Sequence, residues 1–266
     1  MKALLAALLL LPVCAFSENF NKETRDFSSG NKVFRLAVSY SGTGGAGRAR
    51  AVLTGAGGKK ISSFETDRPP FSVTLSGDGR RLFFFCGSWG QAVSIFSIDV
   101  YSSAGERLAS HQVRMDGPAG EDFSEDYSVY ALGTEQGGSR AVLLFDSGSG
   151  RLLWTKKTKE RLAGLKLSGD GNRLLALFSG EGGDWRPVIY DKAGRELGRA
   201  ELTGTGHLAP RVFSRDGGAF ELWEDRTVYD KKDGYFHARL VKKRYFRVAA
   251  GGIEPAGVKD FNEVYR

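Results

Sequence analysis

A large apolar residue followed by serine recurs five times along the chain, at Phe27-Ser28, Leu75-Ser76, Phe123-Ser124, Leu167-Ser168 and Phe213-Ser214. The serines stand 48, 48, 44 and 46 residues apart. Two positions on, four copies carry aspartate (Asp78, Asp126, Asp170, Asp216) and the first carries Gly30. A period in the forties made of strand-like pieces means one supersecondary unit, copied and stacked. The second copy displays the unit most clearly. Phe71-Ser-Val-Thr-Leu75 alternates apolar and polar residues, the pattern of a half-buried strand. Ser76-Gly-Asp-Gly79 is a turn, because Ser and Asp side chains bond backbone N–H groups and Gly accepts positive φ. Arg81-Leu-Phe-Phe-Phe85 is apolar enough to be buried on both faces, and residues 92–101 and 107–113 read as a third and a fourth strand.

The other copies follow the same plan. Six residues after each serine stands Phe34, Leu82, Tyr130, Leu174 or Phe220, and eight after it Leu36, Phe84, Leu132, Ala176 or Leu222. A spacing of two puts both on one strand face. The third strand is expected to end at Leu53, Tyr101, Phe145, Tyr190 or Tyr229, with Gly57, Gly105, Gly150, Gly194 or Gly234 soon after. Each such large apolar side chain, fully buried, contributes roughly 1.5–3 kcal/mol. A single four-stranded sheet cannot bury both of its faces, so the copies must pack on one another.

Four strands in each 40–50-residue unit is the size of a propeller blade. Ser76-Gly-Asp-Gly-Arg-Arg-Leu and Ser168-Gly-Asp-Gly-Asn-Arg-Leu resemble the turn motif of WD-repeat and TolB-like bacterial β-propellers. Val142-Leu-Leu-Phe-Asp-Ser-Gly-Ser-Gly-Arg-Leu-Leu-Trp154 is similar to the hairpin of quinoprotein-type blades. Gly206-His207 before Val212-Phe-Ser-Arg-Asp-Gly217 resembles a WD repeat. The likeness covers residues 25–241 and implies an all-β propeller of about five four-stranded blades, near residues 25–67, 71–115, 121–158, 163–203 and 208–241. Residues 242–266 hold two strand-like pieces. These either finish the fifth blade or, with residues 16–24, build part of a sixth. A closed ring would protect its strand edges, so some joining of the two ends is expected. A two-sheet sandwich of the same hairpins is the competing architecture.

Residues 1–15 read as a secretory signal peptide: Lys2, a short apolar run, Pro12, and small residues for cleavage after Ala15. The run is too short to span a bilayer. The alternative makes Cys14 a lipid-modified anchor, although Val13 stands where such signals place a small residue. The mature domain is then residues 16–266, periplasmic or secreted, and expected as a monomer. The whole chain carries a net charge of +7. Losing the leader leaves Cys86 as the one cysteine, with no internal disulfide. Cys86 follows Phe83-Phe84-Phe85 and reads as a buried apolar residue rather than a reactive thiol.

Loops after the second strands, near residues 39–47, 87–91, 133–139 and 179–187, are where binding residues collect on a rigid frame. Trp89, Trp185 and Arg186 fall in two of them and are the candidate contact residues for a partner; otherwise each tryptophan covers the end of its own blade. Gly42-Thr-Gly-Gly-Ala-Gly47 matches G-x-G-x-x-G, which cradles a phosphate only where a helix follows; here a strand is expected. Glu121, Asp122, Glu125 and Asp126 form an acidic cluster without calcium-loop spacing, read as a solvated link between blades. Lys242-Lys-Arg-Tyr-Phe-Arg247 mixes basic and aromatic residues. It suits a blunted strand edge or attraction to an anionic envelope polymer better than nucleic acid. His111, His207 and His237 are scattered, and no catalytic set, metal site or cofactor motif stands out. The expectation is an exported, non-catalytic propeller that binds a protein or polymer. The alternative is a small hydrolase- or lactonase-like propeller enzyme with its site at the central channel.

Overall fold

The computed structural model describes residues 24–40, 47–87, 95–114, 117–136, 138–180, 183–203, 206–230 and 235–264. The leader, Trp89 and most of the glycine run at 42–47 lie outside the described residues. The chain is all-β. Five antiparallel sheets each take four strands consecutive in sequence. The first sheet holds β1 (Thr24–Ser28), β2 (Arg35–Tyr40), β3 (Ala49–Thr54) and β4 (Lys60–Thr66). The second holds β5 (Pro70–Leu75), β6 (Arg81–Gly87), β7 (Ile95–Ser102) and β8 (Arg107–Arg114). The third holds β9 (Gly117–Phe123), β10 (Val129–Gln136), β11 (Ser139–Asp146) and β12 (Leu152–Thr158). The fourth holds β13 (Arg161–Leu167), β14 (Arg173–Ser179), β15 (Trp185–Asp191) and β16 (Glu196–Arg199). The fifth holds β17 (His207–Phe213), β18 (Ala219–Asp230), β19 (Tyr235–Ala249) and β20 (Gly252–Val264).

The fifth sheet departs from the expected boundaries. Tyr229 does not close a third strand; it lies in β18, whose hairpin with β19 runs from the pair Ala219 and Arg247 to the pair Asp230 and Tyr235. Residues 242–264 therefore complete the fifth sheet, and no sixth sheet occurs among the described residues. The predicted loop at 133–139 is mostly strand, since β10 continues to Gln136 and β11 begins at Ser139. The predicted loop at 179–187 likewise shrinks, with β15 starting at Trp185.

Alternation along the second strand decides how the sheets stack. In β6, Leu82 and Phe84 join the cluster shared with the first sheet, while Phe83 and Phe85 join the cluster shared with the third. In β14, Leu174 and Ala176 meet the third sheet, and Leu175 and Leu177 meet the fifth. Among the described residues, four buried clusters link sheets one to two, two to three, three to four and four to five. No such cluster links the fifth to the first. Residues 16–23, expected to help join the ends, lie outside the described residues; the outer face of each terminal sheet carries charged side chains. On the first sheet that face carries Asp26, Arg35, Ala37 and Arg50, with Arg35 and Asp26 paired at 2.7 Å.

The repeated turn has one geometry throughout. The Ser76 hydroxyl donates to Asp78 at 2.6 Å and accepts the Arg81 N–H, while Asp78 accepts the Arg80 N–H. Ser124/Asp126, Ser168/Asp170 and Ser214/Asp216 repeat the pattern. The first copy corrects the sequence alignment by one residue. Its serine is Ser29, not Ser28, and Asn31 takes the aspartate's place at 2.7 Å. The residue after the acid has positive φ in every copy: Lys32 at 59°, Gly79 at 68°, Tyr127 at 57°, Gly171 at 68° and Gly217 at 67°. Glycine relieves that geometry in three copies. Asn31, being an amide, also donates to the Gly77 carbonyl of the next sheet.

At the junction of sheets four and five lies a buried charge pair. Glu224 is 2% exposed, accepts both Nε and Nη2 of Arg244 at 3.1 and 2.7 Å, and accepts the Gly206 N–H at 3.0 Å. Burial pushes this carboxyl up, but the bonds from Arg244 and Gly206 outweigh it and hold the group below its usual range. Removing one partner of such a pair leaves a charge uncompensated, at a cost of about 3 kcal/mol.

Two outcomes are expected from denaturant unfolding. Arg244→Leu lowers stability by about 3 kcal/mol, and adding Glu224→Leu restores much of the loss; a double variant no better than the single one rules out the charge-pair account. Asp170→Ala costs about 1 kcal/mol through the lost turn bonds. Burial raises the Asp170 carboxyl, yet the bonds from Asn172 and Ser168 prevail and its affinity for protons is lowered. Its contribution is therefore full above the unfolded Asp value of about 3.9 and vanishes as pH falls through the lower folded value. The gap between parent and variant narrows below about pH 4; a constant gap refutes this.

Candidate functional site

The outward face of the fifth sheet is unlike any other described face. Along β18 the fifth copy reads Phe220, Glu221, Leu222, Trp223, Glu224. Phe220 and Leu222 enter the cluster shared with the fourth sheet, so Glu221 and Trp223 point the other way. Cross-strand pairing extends the face: Trp223 sits opposite Lys243, and Lys243 opposite Lys259. One pair along, Glu221 sits opposite Tyr245. Residues directly opposite share a face, so Ala209, Trp223, Lys243 and Lys259 form a row crossing the four strands, and Arg211, in the bulge between Pro210 and Val212, leans onto it. Arg211 stands 5.7 Å from the centre of the Trp223 ring and Lys243 stands 4.3 Å from it. Lys243 is also 4.4 Å from the Phe261 ring centre, and Lys259 is 5.0 Å from it. The ring quadrupoles hold these cations in place. Trp223 donates its indole N–H to Glu221 at 3.1 Å. The Glu224–Arg244 pair braces the reverse side of the same two strands.

Trp185 and Arg186 are neighbours in β15 and point to opposite faces. Trp185 is buried in the cluster between sheets four and five, edge-on to His207 at 5.4 Å. Its backbone pairs with Leu202. Arg186 is half-buried, forms an ion pair with Glu160 and lies 6.0 Å from the centre of the Phe178 ring. The structure does not bring the two into one patch.

The acidic cluster around Phe123 works as inter-sheet bracing. Glu121 accepts from Thr74 of the second sheet at 2.7 Å and from Tyr130 at 2.6 Å. Asp122 accepts from Lys166 at 2.8 Å and from the Leu167 N–H at 2.7 Å, both on the fourth sheet. Burial pushes the Asp122 carboxyl above its usual range despite Lys166. A cleft of about 410 Å³ opens beside these groups, lined by Asn31, Thr74, Gly77, Glu121, Asp122 and Tyr127. Among the described residues no cluster of three or more His, Cys, Asp or Glu forms a metal-binding group. Cys86 is buried, and that burial, reinforced by Asp99, pushes its thiol up to about 12. β3 rather than a helix follows the glycine run at 42–47.

The sequence singled out the run 242–247 by composition but missed its partners Arg211, Trp223, Lys259 and Phe261. A signal was present. Second strands two and four are apolar at both alternating positions, whereas Phe220-Glu-Leu-Trp-Glu224 is apolar on one face and mixed on the other.

No family model matches the chain, and no curated protein sequence does. Among solved structures, hydrazine synthase of Kuenenia stuttgartiensis aligns at 15% identity over 92% of this chain and 68% of its own, with a TM-score of 0.52. The β-propeller domain of the Trilobed protease from Pyrococcus furiosus, described as having an open velcro topology, aligns at 12% identity over 91% of this chain and 86% of its own, with a TM-score of 0.51. At such identity the likeness concerns the fold alone. Together with the five repeated four-stranded sheets it makes this chain a β-propeller repeat protein.

Proposed function

We propose that the chain is an exported, non-catalytic propeller that serves as a binding or scaffold module, with the outward face of the fifth blade as its contact surface. One observation carries this reading: that face holds two aromatic rings and three cations in one organised patch, where the corresponding face of every blade from the first to the fourth is covered by a neighbour. Trp, Tyr and Arg are the residues enriched at protein contact sites. The acidic cluster favours the same reading, because Glu121 and Asp122 are each engaged in bonds to another blade. Export rests on the leader, with cleavage after Ala15. The partner is a protein or an anionic polymer of the envelope, met by a monomer. The competing reading, a hydrolase at the ring centre, draws on the cleft beside Glu121.

A photo-crosslinking residue in place of Tyr245 is expected to trap a partner in the producing cell, while one in place of Val52 on the first blade traps none. Mass spectrometry of the same material is expected to find an N-terminus at Phe16; a lipid on Cys14 replaces secretion with anchoring. Absence of adducts at 245, joined by a hydrolytic activity that Glu121→Gln abolishes, overturns the binding reading in favour of the enzyme.

A further inference from the structure

We infer that the outward face of the fifth blade docks an acidic segment of a partner protein, whose carboxylates seat on Arg211, Lys243 and Lys259; this rests on the binding-module reading above.

The first argument is charge that is left uncancelled. On the outward face of the first blade, Arg35 is paired with Asp26 at 2.7 Å and Arg48 with Glu65 at 3.8 Å. Two of that face's cations are thus neutralised, and Arg50 donates to Ser63 at 3.2 Å. On the fifth blade, Arg211, Lys243 and Lys259 lie against rings, and none of the three forms an ion pair among the described residues. Asp225 acts on Arg211 only electrostatically. A ring orients a cation without neutralising it, so the three N–H donor groups stay available to an anion. Their side chains are also fixed by ring contacts, which reduces the ordering cost of binding. The whole chain is basic, with a pI near 9.4, and attracts acidic partners from a distance.

The second argument selects among anions. Sugar rings and nucleic-acid bases bind proteins by stacking on aromatic faces. Here those faces carry the protein's own cations, with Lys243 4.3 Å from the Trp223 ring centre and 4.4 Å from that of Phe261. What the surface presents is a set of cationic donors, which carboxylates accept as charge-assisted hydrogen bonds. Their spacing also suits an extended peptide. Lys243 and Lys259 lie on adjacent strands, about 4.8 Å apart at the backbone, and Arg211 reaches the same patch from the bulge in β17, two strands from Lys243. Acidic residues at alternate positions of an extended segment recur every 6.6–6.8 Å or so, within reach of flexible Lys and Arg side chains in that patch.

The test is fluorescence anisotropy with a labelled synthetic peptide of alternating Glu and Ser, at low ionic strength. The mature protein is expected to bind it in the micromolar range, with affinity falling as salt is added. Lys243→Gln combined with Lys259→Gln is expected to weaken binding about tenfold or more, and Lys243→Arg to retain it. Arg35→Gln combined with Arg48→Gln on the first blade is expected to bind like the parent. Thermal melts establish that each variant is folded. Failure of the folded parent to bind, an equal loss in the first-blade variant, or tighter binding to single-stranded DNA, polyuronate or anionic lipid vesicles overturns the acidic-peptide assignment. If the peptide fails while crosslinks at position 245 form, the module still binds a partner and only its acidic character falls.

Discussion

A four-stranded sheet that is apolar on both faces is insoluble as a single object, and every other feature of this molecule follows from how that is relieved. The second strand of each inner blade inserts alternate side chains into two neighbours: in β6, Phe83 and Phe85 meet Tyr130 and Leu132, while Leu82 and Phe84 meet Leu36 and Leu53. Each large side chain so buried is worth about 1.5–3 kcal/mol. Stability is therefore held between neighbouring blades and not within them. A stack of five has four such contacts and two ends, and the ends must be finished differently from the middle. The first blade does so with ion pairs and small residues; the fifth does so with cations seated on rings.

Apolar contact is non-directional and cannot alone set the angle between blades. The turns at one end of each blade supply direction. Asn31 bonds the Gly77 carbonyl, Arg81 reaches the Ser147 and Gly148 carbonyls, and Arg173 bonds the Gly217 carbonyl. Backbone bonds from Glu125 to Gly169 and from Asp170 to Arg215 link later copies. At Gly77 the Tyr127 ring of the third blade occupies the place where a side chain would stand. These bonds give the turn a reason to recur: in the second, fourth and fifth blades the serine–acid pair shapes a loop whose carbonyls accept donors from the preceding blade. Glu121 and Asp122 also tie the third blade to its neighbours, through Thr74 and Lys166, so that this acidic run is taken up by structure.

The repeat, the four-stranded unit and the buried alternation were readable because each rests on local chemistry repeated five times. What stayed hidden concerns the ends. Aligning Ser28 with Ser76 kept the apolar residue before the serine in step, yet Ser29 forms the turn. The slip has a physical cause. A shift of one residue exchanges strand faces, and among the described residues no sheet packs on the outer face of the first blade, so Arg35 and Ala37 occupy the positions that Leu82 and Phe84 fill in the second. The third strand of the fifth blade was misplaced for a related reason. Glycine after Tyr229 imitated the earlier hairpins, but β18 and β19 run on together to the pair Asp230 and Tyr235. Trp185 looked like a loop residue because Gly, Asp and Pro surround it; its burial depends on Leu208 and Phe213, more than twenty residues away in sequence.

The two ends of the stack solve one problem with opposite consequences. An apolar face at either end would meet the complementary face of another copy and continue the stack without closure, as any head-to-tail contact does. Ion pairs such as Arg35–Asp26 prevent this by holding water and presenting little net charge. Cation–ring contacts prevent it too, since an ammonium over Trp223 must be desolvated before another sheet can pack there. They leave the charge exposed, however, and a fixed positive row on a rigid sheet attracts whatever anionic surface matches it. The device that keeps the fifth blade from adding a sixth is thus the same one that equips it to bind something else.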